Sequence, residues 1–164
     1  AIWPGAKYDP AIPTFEQVLG YDVGERISNH RAMMRYFAAL QKAAPERIKL
    51  QQYAMSWEGR ELIYAAVASE QNIANLDSVI AKNQALADPR KTDKAEANKI
   101  VASLPALVWL QYAVHGNEIS TTDAAMYTAY HLLAAMDDPL VDQVLANTVV
   151  FVDPLQNPDG LSVS

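Results

Sequence analysis

Residues 107–118 read Leu-Val-Trp-Leu-Gln-Tyr-Ala-Val-His-Gly-Asn-Glu. No charge interrupts the first eight, so this run predicts a buried strand that delivers His115, Gly116 and Glu118 to its end, immediately before a helical pattern. A strand apolar at nearly every position needs cover on both faces. That requirement points to a layered α/β fold rather than a one-sided antiparallel sheet.

Length and composition narrow the chemistry around that point. A chain of 164 residues suits one domain, and at this size folding buries roughly 70% of the unfolded surface. Its net charge of −6, with no basic run, excludes a nucleic-acid partner, since phosphate binding needs clustered Lys and Arg. Without cysteine there are no disulfides, thiolate metal sites or Cys nucleophiles, so any metal must be held by His and carboxylate. The longest apolar runs, 106–114 and 149–152, fall far short of the ~20 residues of a membrane helix, and no membrane partner is expected. A chain that starts at Ala1 in a Pro-bearing segment suits a mature secreted or periplasmic protein.

Taken in order, residues 1–27 carry prolines and glycines and read as an irregular arm, with one short helix near 14–19. The main domain then spans residues 28–164. Met33, Phe37 and Leu40 recur at helical spacing after Ser28 and Asn29, predicting a helix over 30–43 that Pro45 stops. Strands over 47–55 and 61–69 flank the turn Ser56-Trp57-Glu58-Gly59-Arg60, as in a hairpin. Residues 70–105 form a solvated helical insertion, with helices over 72–87 and 93–103. Beyond Glu118, Ser120 and Asp123 have the form of a capping box for a helix that runs to Asp137. A short helix over 140–146, a β-branched strand over 148–152 and the turn-forming residues 154–160 complete the chain. The expected fold is α/β, with a mixed, mostly parallel central sheet flanked by helices.

His115 and Glu118 stand where a buried strand becomes a helix, the place where open α/β sheets bind ligands. Gly116 would let the backbone turn sharply there, and Asn117 would help cap the next helix. Their i, i+3 spacing can bring an imidazole and a carboxylate together. With one more histidine they would form the His, His, Glu zinc set. The plain alternative is a structural histidine beside a surface glutamate. Neither remaining histidine completes the set: His131 lies some 220° around a continuous helix from Glu118, and His30 has no acidic partner nearby. Asp153, at a strand end, is a candidate to orient a ligand histidine or simply an Asp that ends a strand before proline. The turn containing Asn157 reads as structural.

Three stretches together carry a resemblance. Val114-His115-Gly116-Asn117-Glu118 before a helix, Pro154-Leu155-Gln156-Asn157-Pro158-Asp159-Gly160 after a strand, and Ser56-Trp57-Glu58-Gly59-Arg60-Glu61-Leu62 upstream resemble the zinc carboxypeptidase family of metallopeptidases. The resemblance implies a zinc cofactor with His115 and Glu118 as ligands, and a peptide substrate cut at its C-terminal end. It also implies that the third histidine ligand, the substrate-binding residues and the glutamate general base come after the Asn-Pro-Asp-Gly turn, beyond Ser164. No catalytic base is therefore expected within this chain. The chain would be the N-terminal part of a catalytic domain, incomplete on its C-terminal side and inactive alone. Its unfinished sheet would expose an apolar edge, which predicts self-association. The competing readings are an aspartoacylase-type zinc amide hydrolase, which also uses a His-x-x-Glu pair, and a non-catalytic binding module on the same scaffold.

Overall fold

A computed structural model of the chain describes residues 2–162, the side chain of Ser162 excepted. The arm begins with a two-residue strand, β1 (Lys7–Tyr8), and a capped single turn, α1 (Phe15–Leu19). Thr14 closes α1 reciprocally: its hydroxyl accepts from the Gln17 amide, and the Gln17 side chain accepts from the Thr14 amide. Ile12, Phe15 and Tyr21 are buried in the main core, so the arm is an integral part of the packing. Helix α2 (His30–Ala43) starts on Asn29, whose side chain accepts from the Ala32 amide at 3.0 Å. It buries Met33, Tyr36, Phe37 and Leu40, the apolar stripe that the spacing predicts.

Strands β2 (Ile48–Met55) and β3 (Glu61–Val67) form the expected hairpin, with Ile48 opposite Val67. Gly59, with φ of 77°, supplies the left-handed residue that its turn needs. Three helices come next, α3 (Glu70–Ala74), α4 (Leu76–Leu86) and α5 (Lys94–Ser103). Only Leu76, Val79 and Ile100 of the three are buried, as expected for a solvated insertion. The chain continues through β4 (Ala106–Gln111), α6 (Thr121–Ala134), β5 (Ala135–Met136), α7 (Pro139–Asn147), β6 (Thr148–Asp153) and α8 (Pro158–Ser162). Strand β5 pairs antiparallel with β1, which fastens the arm to the end of α6.

The main sheet has the order β2-β3-β6-β4. Val150 and Val152 of β6 face the core that holds α2 and α6, while Val149 and Phe151 face the smaller cluster with Leu76 and Val79. Helices therefore cover both faces of a mixed sheet, and among the described residues none is long and apolar enough to cross a membrane.

The structure differs from expectation in three places. First, the described sheet is mostly antiparallel, because only the β4–β6 pairing is parallel. A five-residue turn between β2 and β3 forces antiparallel pairing, and among neighbouring strands only β4 and β6 are consecutive in the sheet's chain order and joined through helices. Second, the strand at 107 ends at Gln111 and is not covered on both faces as its apolar run predicts: it is an outer strand of the described sheet, with Val108 40% and Trp109 46% exposed. The inner places of the described sheet belong to β3 and β6, because an apolar run identifies a strand but not its place in the sheet. Third, Ser120 makes no side-chain cap bond, and Asp123 is buried instead of reaching back to the helix start.

The two caps should therefore respond differently in urea denaturation. Asn29→Ala should cost about 1 kcal/mol, whereas Ser120→Ala should leave the midpoint nearly unchanged. Equal losses would contradict this account of the helix starts.

Candidate metal-ligand turn

After Gln111 the chain leaves the ladder but remains tied to it. The Tyr112 amide donates to the Asp153 carbonyl at 2.9 Å, and the Gln156 and Asn157 amides donate to the Tyr112 and Ala113 carbonyls at 3.2 and 3.1 Å. Ala113 is buried with φ of 52°, a conformation that costs a residue with a Cβ about 1 kcal/mol. Two further turns lie beyond it: the Glu118 amide donates to the His115 carbonyl at 3.1 Å, and the Thr121 hydroxyl to the Glu118 carbonyl at 2.8 Å. The His115 and Glu118 backbones are thus one hydrogen-bonded turn apart, and both residues are exposed. Asn117 between them is exposed as well.

Gly116 is buried, and its role differs from the one its sequence context suggests. It is not among the glycines with left-handed φ. A Cβ placed on it would overlap the Gly160 carbonyl carbon and the Leu161 nitrogen, well inside van der Waals contact. The requirement is close approach of two backbones, not a sharp turn. Asn157 shapes the other partner, its side chain accepting from the Gly160 amide at 2.9 Å.

The third stretch joins these two through Asp159. Its carboxylate accepts from the Ser56 hydroxyl at 2.8 Å, the Glu58 amide at 3.1 Å and the Arg60 guanidinium at 2.6 Å. Partial burial pushes the Asp159 pKa up, but Ser56, Arg60 and the Glu58 amide outweigh that and hold it below the usual carboxylate range. Sequence reasoning places Arg60 and Asp159 in separate motifs and does not pair them. Their opposite charges are the one signal that could have done so.

Asp153 is 1% exposed at the end of β6. One carboxylate oxygen accepts from Tyr53 Oη at 3.0 Å and Gln156 Nε2 at 2.9 Å, and the other has no hydrogen-bond partner among the described residues. Burial pushes its pKa up, and Gln156, Tyr53 and Trp109 offset only part of that effect. His131 is buried at the far end of α6, with its Nδ1 3.0 Å from Tyr8 Oη and its ring stacked on Trp3 at 4.0 Å. Burial lowers its pKa. His30 Nε2 bonds the Glu61 carbonyl at 2.8 Å. Among the described residues, no group of three or more His, Cys, Asp or Glu could hold a metal ion. An imidazole and a carboxylate on one turn have the right donor chemistry for zinc, and they are one protein ligand short of a catalytic site.

Two expected outcomes arise from this packing. Gly116→Ala should cost about 3 kcal/mol, clearly more than Gly59→Ala, which meets no atoms and adds about 1 kcal/mol of backbone strain; similar losses in thermal unfolding would contradict the close-approach account. For Asp153, a raised folded pKa means that its contribution to stability is present below about pH 4, the unfolded carboxylate value, and is lost as pH rises through the folded value. Wild type should therefore lose more stability than Asp153→Asn between acid and neutral pH, and parallel stability curves would contradict the shift.

Sequence and structure comparisons agree with one another. The family model described as zinc carboxypeptidase matches residues 33–164. A carboxypeptidase A from Helicoverpa armigera is similar in fold, with a TM-score of 0.57 and 18% identity over 90% of this chain, and the chain spans 31% of that protein's length. No curated protein matches the chain. The match covers most of the sequence, including both turns that meet at Gly116, and the chain belongs to the zinc carboxypeptidase family.

Proposed function

We propose that this chain is part of a zinc-dependent metallocarboxypeptidase that hydrolyses peptide bonds at the C-terminal end of its substrates. His115 and Glu118 would be two of the three protein ligands of the zinc. The observation that supports this best is the backbone contact of Gly116 with Gly160, which seats the His115–Glu118 turn against the Asn-Pro-Asp-Gly turn. Family membership favours a peptide over the small amides of an aspartoacylase-type hydrolase.

Zinc, when bound, supplies a Lewis acid that polarises a carbonyl and acidifies water. This chain's own residues would do three things. His115 and Glu118 present donors on one exposed turn. Gly116, Gly160 and the bonds from residues 156–157 to residues 112–113 hold that turn against the sheet. The Asp159 contacts to Ser56, Glu58 and Arg60 tie the hairpin to the same place. The third histidine and the carboxylate that takes the proton would come from residues outside this chain. By itself the chain should then bind zinc weakly and show little or no turnover, since two ligands hold the ion poorly.

Calorimetry with zinc on wild type and His115→Ala tests the ligand assignment. Weak binding that the substitution abolishes is the expected result, and equal heats would contradict it. A peptidase assay with zinc should show no appreciable turnover by this chain. Turnover by these 164 residues would overturn the incomplete-site reading.

A further inference from the structure

The arm is fastened to the far end of α6 over a buried histidine that the zinc reading does not use. Pro4 and Gly5 make the turn that sets this up: the Ala6 amide donates to the Trp3 carbonyl at 3.3 Å, and Gly5, with φ of 80°, takes the left-handed place of a Pro-Gly turn. Trp3 lies over His131, ring centroids 4.0 Å apart and planes 10° from parallel. Further along, β1 pairs with β5, Tyr8 Oη meets His131 Nδ1 at 3.0 Å, and the Asp9 amide donates to the Ala134 carbonyl at 2.8 Å. Beneath these residues His131 is only 8% exposed.

The groups that face the ring suit its neutral form. Trp3 and Tyr8 come from the arm, and Tyr127 and Tyr130 from α6 itself, all of them aromatic. The charged groups nearby are engaged elsewhere. Lys7 and Asp137 pair with each other at 3.4 Å, Asp9 accepts from the Ala11 amide at 2.8 Å, and Asp138 accepts from the Leu140 and Val141 amides at the start of α7. None of the salt bridges among the described residues includes His131. Burial therefore disfavours the imidazolium, and Asp138 offsets only part of that cost; the stack on Trp3 offsets a further part, as an indole face does for any cation. A protonated ring also carries hydrogen on both nitrogens, so Tyr8 could no longer donate to Nδ1.

The segment over this ring is lightly held. Strand β1 contributes two ladder residues, the Lys7–Asp137 pair is exposed to solvent, and Trp3 is 37% exposed. A cavity of about 330 Å³ lies between residues 3–7 and residues 136–139, with His131 on its wall. Ile12, Phe15 and Tyr21, by contrast, are buried in the main core. Segments with few buried contacts open locally before the fold as a whole.

We propose that residues 3–9 are a strap kept closed by neutral His131 and released from α6 and β5 as the pH falls, while the arm from Ile12 onward stays packed. Histidine is the side chain whose ordinary titration falls between about pH 5 and 8. With the closed-state pKa below the ordinary value of about 6.5, the contribution of His131 to closure is complete above that value and is lost as the pH falls through the closed-state value. The strap uses neither His115 nor Glu118 and does not depend on the zinc reading.

The test is an NMR titration of the chain between about pH 8 and 5. His131 should titrate below about 6.5. The Trp3 indole and the Lys7 and Tyr8 amides should move toward unstructured positions with the same midpoint, while the Val150 and Val152 amides of β6 stay in place. His131→Phe keeps a flat ring under Trp3 without a titrating group, and it should lower the open fraction at the acid end at least about tenfold. Because that residue is buried, Trp3→Ala on the more exposed side of the stack provides a second variant: it should open the strap across the whole range and return the His131 titration to about 6.5. Arm signals that stay in place at the acid end, a strap that opens equally in His131→Phe, a His131 titration unmoved by Trp3→Ala, or loss of the β6 amides together with the arm would overturn the proposal.

Discussion

Backbone meets backbone where Gly116 lies against Gly160 and Leu161, at a distance that leaves no room for a side chain. Much of the arrangement around the candidate metal ligands depends on this contact. It brings the turn after β4 against the turn after β6, so the parallel pairing of those strands is continued by loops. The amides of residues 156 and 157 complete it by donating to residues 112 and 113. Ala113 is held in a left-handed conformation at the point where the chain bends toward His115.

Asp159 extends the same junction to the hairpin. One carboxylate collects a hydroxyl, an amide and a guanidinium from the Ser56–Arg60 turn, which joins β2 to β3, the neighbour of β6 in the sheet. Three stretches far apart in sequence thus converge on one corner. The two buried carboxylates, Asp123 and Asp153, behave differently. Each keeps one oxygen without a hydrogen-bond partner among the described residues. Both are favoured in their neutral form by burial, whereas Asp159 is favoured in its charged form by its donors.

Helix α2 is legible in the sequence because its apolar residues repeat at the helical period and Pro45 stops them; the hairpin is legible because a Gly-containing turn separates two β-rich runs. The order of strands is not. An apolar run such as 107–114 is consistent with an inner strand or an outer strand, and which it becomes depends on what pairs with its side away from β6. Local capping signals at Ser120 and Asp123 are overridden by tertiary contacts, as Asp123 turns inward to Ser28 and Gly24. At the candidate site, the types of residue are readable but the reason for Gly116 is not, because close approach involves a partner 44 positions away that no local pattern reveals. His131, by contrast, is set apart from Glu118 because it lies near the far end of α6 while Glu118 precedes that helix, and Tyr8 and Trp3 account for it.

Whether the turn seated by Gly116 carries two ligands of a zinc site is tested most directly by anomalous diffraction at the zinc edge, from crystals of the chain grown with the metal. The predicted result is a peak about 2.0–2.2 Å from a His115 ring nitrogen and a Glu118 carboxylate oxygen. A peak on His30 or His131, or none at His115, would contradict it.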